Sequence, residues 1–132
     1  MLRFIRLLVL LPLILFSSCG LSVKPEQLYG KWKYIRLENP NANPPYTMPD
    51  FKLKIQVPTI EFTRNNELIM VWGGEVLAHG KFRTDGDKIQ FNQLLDGGRT
   101  REFPFYVTEL SNKEIIFETK GSDATRVTAT KE

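Results

Sequence analysis

From residue 65 onward the chain is cut at short, regular intervals by turn-forming residues: Asn65-Asn66, Gly73-Gly74, Asp85-Gly86, Asp96-Gly97-Gly98, Ser111-Asn112 and Gly121-Ser122. Tight turns between antiparallel strands need positive φ at their centres, which Gly, Asn and Asp supply at least cost. The runs between them, residues 67–72, 75–84, 87–94, 101–109, 114–119 and 123–131, are short, and no helical period lasts beyond a turn or two. A chain cut in this way folds as one hairpin after another, which predicts an antiparallel meander.

Upstream, Leu28-Tyr29-Gly30 leads into a strand over residues 31–38. Residues 39–50 hold prolines at 40, 44, 45 and 49 and three asparagines, a composition that reads as a long loop. Residues 51–57, Phe-Lys-Leu-Lys-Ile-Gln-Val, alternate strictly, the period of a half-buried strand. Pro58 then predicts a bulge or corner before Ile60 and Phe62 resume the alternation in the other phase. Closing such a meander removes both exposed edges. The expected fold is therefore all-β, an up-and-down meander closed into a small barrel of about eight strands. A two-sheet sandwich is the alternative.

Material for a core is spread along the whole chain: Trp32, Tyr34, Phe62, Trp72, Phe82, Phe91, Phe103, Phe105 and Phe117. Cys19 is the only cysteine, so no internal disulfide can staple the domain, and apolar burial has to hold it together. Taking Arg3 and Arg6 from the 18 basic residues leaves 16 against 15 acidic ones. That near balance, interleaved with apolar residues, argues against nucleic acid as a partner, which calls for clustered positive charge.

Arg3 and Arg6 precede the apolar run 7–16, and Ser17-Ser18 follow it. This is the order of a secretory leader, and the run is too short for a transmembrane span. Leu15-Phe16-Ser17-Ser18-Cys19 resembles the lipobox of bacterial lipoproteins. The resemblance implies a signal peptide over residues 1–18, cleavage before Cys19, and acylation of its thiol, with the membrane as partner through that lipid. Gly20, where Asp would hold a lipoprotein at the inner membrane, implies the outer membrane of a Gram-negative envelope, and the domain is expected to face the periplasm. Residues 19–27 are read as a tether and 28–132 as the folded domain.

Gly30-Lys31-Trp32 opens the first strand with the Gly-x-Trp of lipocalins. Together with Tyr34, Ile60-Glu61-Phe62, the run 80–89 and Leu110-Ser111-Asn112-Lys113-Glu114-Ile115, it resembles bacterial lipocalin-like lipoproteins over roughly residues 28 to 130. The resemblance implies that Trp32 closes the narrow end of a barrel, with Arg126 as the late-strand arginine over its ring. A guanidinium on an indole face contributes about 0.5 to 2 kcal/mol. It also implies that the loop 39–50 is a flap over the open end, with Tyr46, Met48 and Phe51 lining the entrance to a site for a small apolar ligand. Beside these stand plainer readings: Trp32 as a core aromatic, Arg126 as a surface charge, and a barrel this short filled by its own side chains.

Chemistry is poorly provided for. His79 is the only histidine, and its phase is opposite to that of Val76, Ala78 and Phe82, a solvated position. No second histidine or cysteine exists to build a zinc site, and no Gly-x-Ser-x-Gly elbow is present. Asp85, Asp87 and Asp96 lie beside glycines as turn residues. No catalytic residue, metal or cofactor is assigned. The expected function is a non-catalytic envelope lipoprotein with a binding domain for a small apolar ligand. The alternative is a filled barrel that binds an envelope protein or hydrolase through its surface or hairpin loops.

Overall fold

At the 73–74 turn both glycines hold positive φ, 63° and 82°, and Asn66 holds 62° in the turn before it. These are the conformations that a tight reversal asks for, and they set the register of everything that follows. The computed structural model describes residues 21–132, so the leader expected over residues 1–18 and Cys19 lie outside the described residues.

Among the described residues nine strands form in chain order: β1 (Gly30–Asn39), β2 (Tyr46–Thr47), β3 (Thr59–Phe62), β4 (Glu67–Trp72), β5 (Glu75–Asp85), β6 (Lys88–Leu94), β7 (Thr100–Leu110), β8 (Glu114–Glu118) and β9 (Arg126–Lys131). From β3 to β9 each pairs antiparallel with the next, and β1 pairs with both β3 and β9. The result is a closed eight-stranded barrel, with β2 a two-residue spur on the end of β1. Closure pairs each of the eight wall strands with a neighbour on both sides, as expected of a closed meander. Register shifts interrupt the ladders at Tyr34/Arg36, Met70/Val71 and Val107/Glu109, irregularities of the kind that bend strands around a barrel. Between β5 and β6 the backbones approach so closely that a Cβ on Gly80 would fall on the Asn92 carbonyl oxygen.

Alternate residues face inward, as the two-residue period requires. Trp32 and Tyr34, Ile60 and Phe62, Ile89 and Phe91, Phe105 and Val107, Ile115 and Phe117, and Val127 and Ala129 are all buried. One end of the barrel is plugged. Helix α1 (Pro25–Leu28) inserts Leu28 beneath the strands, and the Trp32 Nε1–H donates to the Leu28 carbonyl at 2.8 Å. Val23 is also buried, its backbone N–H donating to the Gly86 carbonyl at 2.8 Å, so the packed domain begins inside the stretch expected to be a tether.

Residues 51–57 depart from expectation. They form helix α2 (Asp50–Gln56) and not a strand. Pro49 precedes the helix, Asp50 sits in its first turn and Lys54 in its last. Val57 closes it in the left-handed region, its N–H donating to the Leu53 carbonyl at 2.8 Å. These are start and stop signals that the strict alternation conceals. Pro58 therefore ends a helix; it does not bulge a strand. The helix covers the gap beside the upper half of β1, because β3 is only four residues long and cannot reach that height.

Candidate functional site

The end opposite the plug is open. There the strands finish before their side chains fill the interior, leaving a cavity of about 400 Å³. Its walls are aromatic: Tyr34 from β1, Trp72 from β4, Phe91 from β6, Phe103 and Phe105 from β7, and Phe117 from β8. Five of them, Tyr34, Phe91, Phe103, Phe105 and Phe117, are in contact through edges and faces. Phe91 and Phe103 have centroids 5.5 Å apart, Phe103 and Phe105 5.3 Å, Phe105 and Phe117 5.2 Å, and Phe117 and Tyr34 6.4 Å. Such geometries add to the burial of the rings and hold them in fixed orientations.

Four polar side chains interrupt the apolar lining: Gln93, Arg101, Thr119 and Thr125. Arg101 comes one residue into β7 and is exposed at the rim. Its Nη2–H donates to Gln93 Oε1 at 3.0 Å, and its guanidinium lies 5.0 Å from the centre of the Phe103 ring. It takes part in no ion pair among the described residues. Deeper in the barrel, Tyr34 is 4% exposed, and its hydroxyl has no hydrogen-bond partner among the described residues. Burial holds that phenol well above the ordinary tyrosine range, so it stays protonated.

Of the residues expected to line an entrance, none borders this cavity. Tyr46 is 40% exposed on β2, Met48 packs half-buried against the margin of the core, and Phe51 is 60% exposed on the outer side of α2. A helix turns about 100° per residue, so Phe51 and Ile55 share one side while Leu53 points inward. The expected cation over Trp32 also belongs to a different residue. Register places Trp32 opposite Lys131, whose Nζ lies 5.1 Å from the ring centre. Arg126 is paired across from Glu38 at the other end of β1, where its Nε meets Glu118 Oε2 at 3.2 Å and its Nη1 meets Glu38 Oε1 at 3.9 Å. Cys19 lies outside the described residues.

The sequence reads the aromatic lining residues only as core material and gives Gln93, Arg101, Thr119 and Thr125 no role. What distinguishes them in the sequence is Arg101-x-Phe103-x-Phe105 and Phe91-x-Gln93, where a polar residue continues an inward-facing apolar phase near a strand end. A polar residue in that phase marks a place where the interior meets water.

A wider depression, about 740 Å³, lies on the outer wall, between Ile69, Val76, His79 and Leu94. His79 is exposed there, away from the interior cavity. An apolar recess with a few convergent polar groups in the mouth of a barrel is the usual form of a small-molecule site, and the interior cavity has that form. Among the described residues no group of three His, Cys, Asp or Glu could hold a metal ion, and no helix is long and apolar enough to cross a membrane.

Comparison with known proteins bears on the fold. No protein-family model matches the chain, and no curated protein matches it. Among solved structures it is similar to a lipocalin-like protein from Bacteroides uniformis, with a TM-score of 0.57 and 16% identity over 80% of this chain and 99% of that one. At that identity the likeness establishes a lipocalin-like barrel and nothing finer.

Proposed function

We propose that this protein is a non-catalytic binding protein that takes a small, largely apolar molecule into the open end of its barrel, and that lipid on Cys19 holds it at the outer membrane. The observation that carries the binding reading is the aromatic cavity, open at one end of a barrel whose other end is plugged by Leu28 and Trp32. The lining includes no histidine and no carboxylate, which favours holding a molecule over transforming it. The anchoring reading rests on residues 1–19 alone: two arginines, an apolar run, small residues and a single cysteine.

Two measurements test this. Uncharged N-phenyl-1-naphthylamine, titrated into the protein, is expected to bind saturably, and Ala78→Phe or Thr119→Phe, each filling the cavity from its wall, is expected to abolish binding while circular dichroism stays unchanged. Failure of this probe and of other small apolar compounds to enter the folded protein would leave the filled-barrel, partner-binding reading in its place. Native mass spectrometry of protein extracted from membranes is expected to show acyl mass on Cys19, and Cys19→Ser is expected to release the protein from the membrane fraction.

A further inference from the structure

The two polar features of the cavity lie at different depths, and neither is explained by its own surroundings. Arg101 stands at the rim with its guanidinium oriented by Gln93 and by the face of Phe103, and without a carboxylate among the described residues. Tyr34 lies on the inner wall of the barrel, buried, and its hydroxyl has no hydrogen-bond partner among the described residues. A buried hydroxyl without a partner is costly, and buried polar groups in folded proteins are nearly always hydrogen-bonded. A ligand that left Tyr34 unsatisfied would seal that cost in place; one carrying an oxygen at its inner end would relieve it.

Size narrows the class. At roughly 30 Å³ for each water in the liquid, a volume of about 400 Å³ has room for about a dozen non-hydrogen atoms. One ring with a short side chain fits within that volume, whereas a larger guest such as N-phenyl-1-naphthylamine or a long acyl chain extends out of the open mouth. The walls suit a ring, since Phe103, Phe105 and Phe117 offer both edges and faces to a flat guest.

Resting on the binding reading above, we infer that the ligand is a compact aromatic acid with polar groups at both ends, its carboxylate on Arg101 and Gln93 at the rim and a ring oxygen accepting from the Tyr34 hydroxyl inside. The guanidinium supplies a charge-assisted, planar donor pair for the carboxylate. The ring occupies the aromatic belt between them. Selection then acts at both poles: a guest lacking the acid leaves the rim cation without its partner, and one lacking the inner oxygen leaves the tyrosine unpaired.

Displacement of bound N-phenyl-1-naphthylamine tests this with three named compounds: 3-(4-hydroxyphenyl)propanoate, 3-phenylpropanoate, which lacks the inner oxygen, and 4-propylphenol, which lacks the acid. The first is expected to compete best, with each missing group costing roughly tenfold, the size of one good hydrogen bond. Arg101→Gln is expected to erase the advantage of the acid while leaving 4-propylphenol unaffected. Tyr34→Phe is expected to erase the advantage of the phenol while leaving 3-phenylpropanoate unaffected. Equal competition by all three, or a ranking that neither substitution moves, overturns the two-ended assignment while the cavity itself stands. Loss of the acid preference in Tyr34→Phe and not in Arg101→Gln overturns it as well, by putting the carboxylate at the inner end. If N-phenyl-1-naphthylamine never binds, the cavity reading fails first and this one falls with it.

Discussion

Tyr34 shows how one atom in the interior shapes behaviour in solution. Unfolded, its phenol ionises near the ordinary value of 10, while burial keeps it neutral well beyond that in the folded barrel. Below pH 10 the phenol is neutral in both states and leaves stability independent of pH; above it stability falls as pH rises, because only the unfolded chain gains by ionising. Tyr34→Phe removes this term. Urea melts at about pH 8 and about pH 11 are expected to show wild type losing more stability than the variant, by about 1.4 kcal/mol for each pH unit above 10. At neutral pH the same substitution deletes a buried hydroxyl that has no partner among the described residues, so the ligand-free protein is expected to hold its stability or gain up to about 1 kcal/mol. At this scale the sequence was legible where a residue's role follows from phase alone. Trp32, in the inward phase of β1, is fully buried, with its indole N–H donating to the Leu28 carbonyl. Its cation was not legible, because choosing between Arg126 and Lys131 requires the register of β1 against β9, and a shift of a few residues along a strand moves a charge from one end of the barrel to the other.

Among the elements, α2 separates what a pattern says from what a chain does. Phe51, Leu53 and Ile55 would share one buried face on a strand. On the helix Leu53 is 6% exposed, whereas Phe51 and Ile55 are 60% and 70% exposed. Leu53→Ala is therefore expected to cost about 2–4 kcal/mol. Phe51→Ala and Ile55→Ala are each expected to stay within about 0.5 kcal/mol of wild type. Chemical denaturation of the three variants checks the contrast, and three equal losses would restore the strand. The hairpins between residues 67 and 118 were legible to within a residue, because Asn-Asn, Gly-Gly and Asp-Gly dictate local geometry without help from the rest of the fold, whereas the last strand begins at Arg126, three residues later than expected. The segment 46–57 was not. A two-residue spur and a seven-residue helix depend on filling a gap that exists only once the barrel has closed.

For the molecule as a whole, the closed ring was legible from the turns, while the site was not, since a cavity is a property of eight strands together. Plug and mouth form a division of labour. Leu28 carries no weight in the lining, yet it is fully buried against Trp32 at the other end. Leu28→Ala is expected to lower stability by about 2–4 kcal/mol and to leave affinity for N-phenyl-1-naphthylamine within about twofold, as measured by urea melts and by titration. The chain enters the barrel through α1 and leaves it at Lys131, paired with Trp32, and the Glu132 N–H donates to the Lys31 carbonyl at 2.9 Å. Entry and exit thus share the sealed pole. A bead, a fluorophore or a leaflet fastened at that pole holds the cup by its base and leaves the lip clear for a guest arriving out of the bulk.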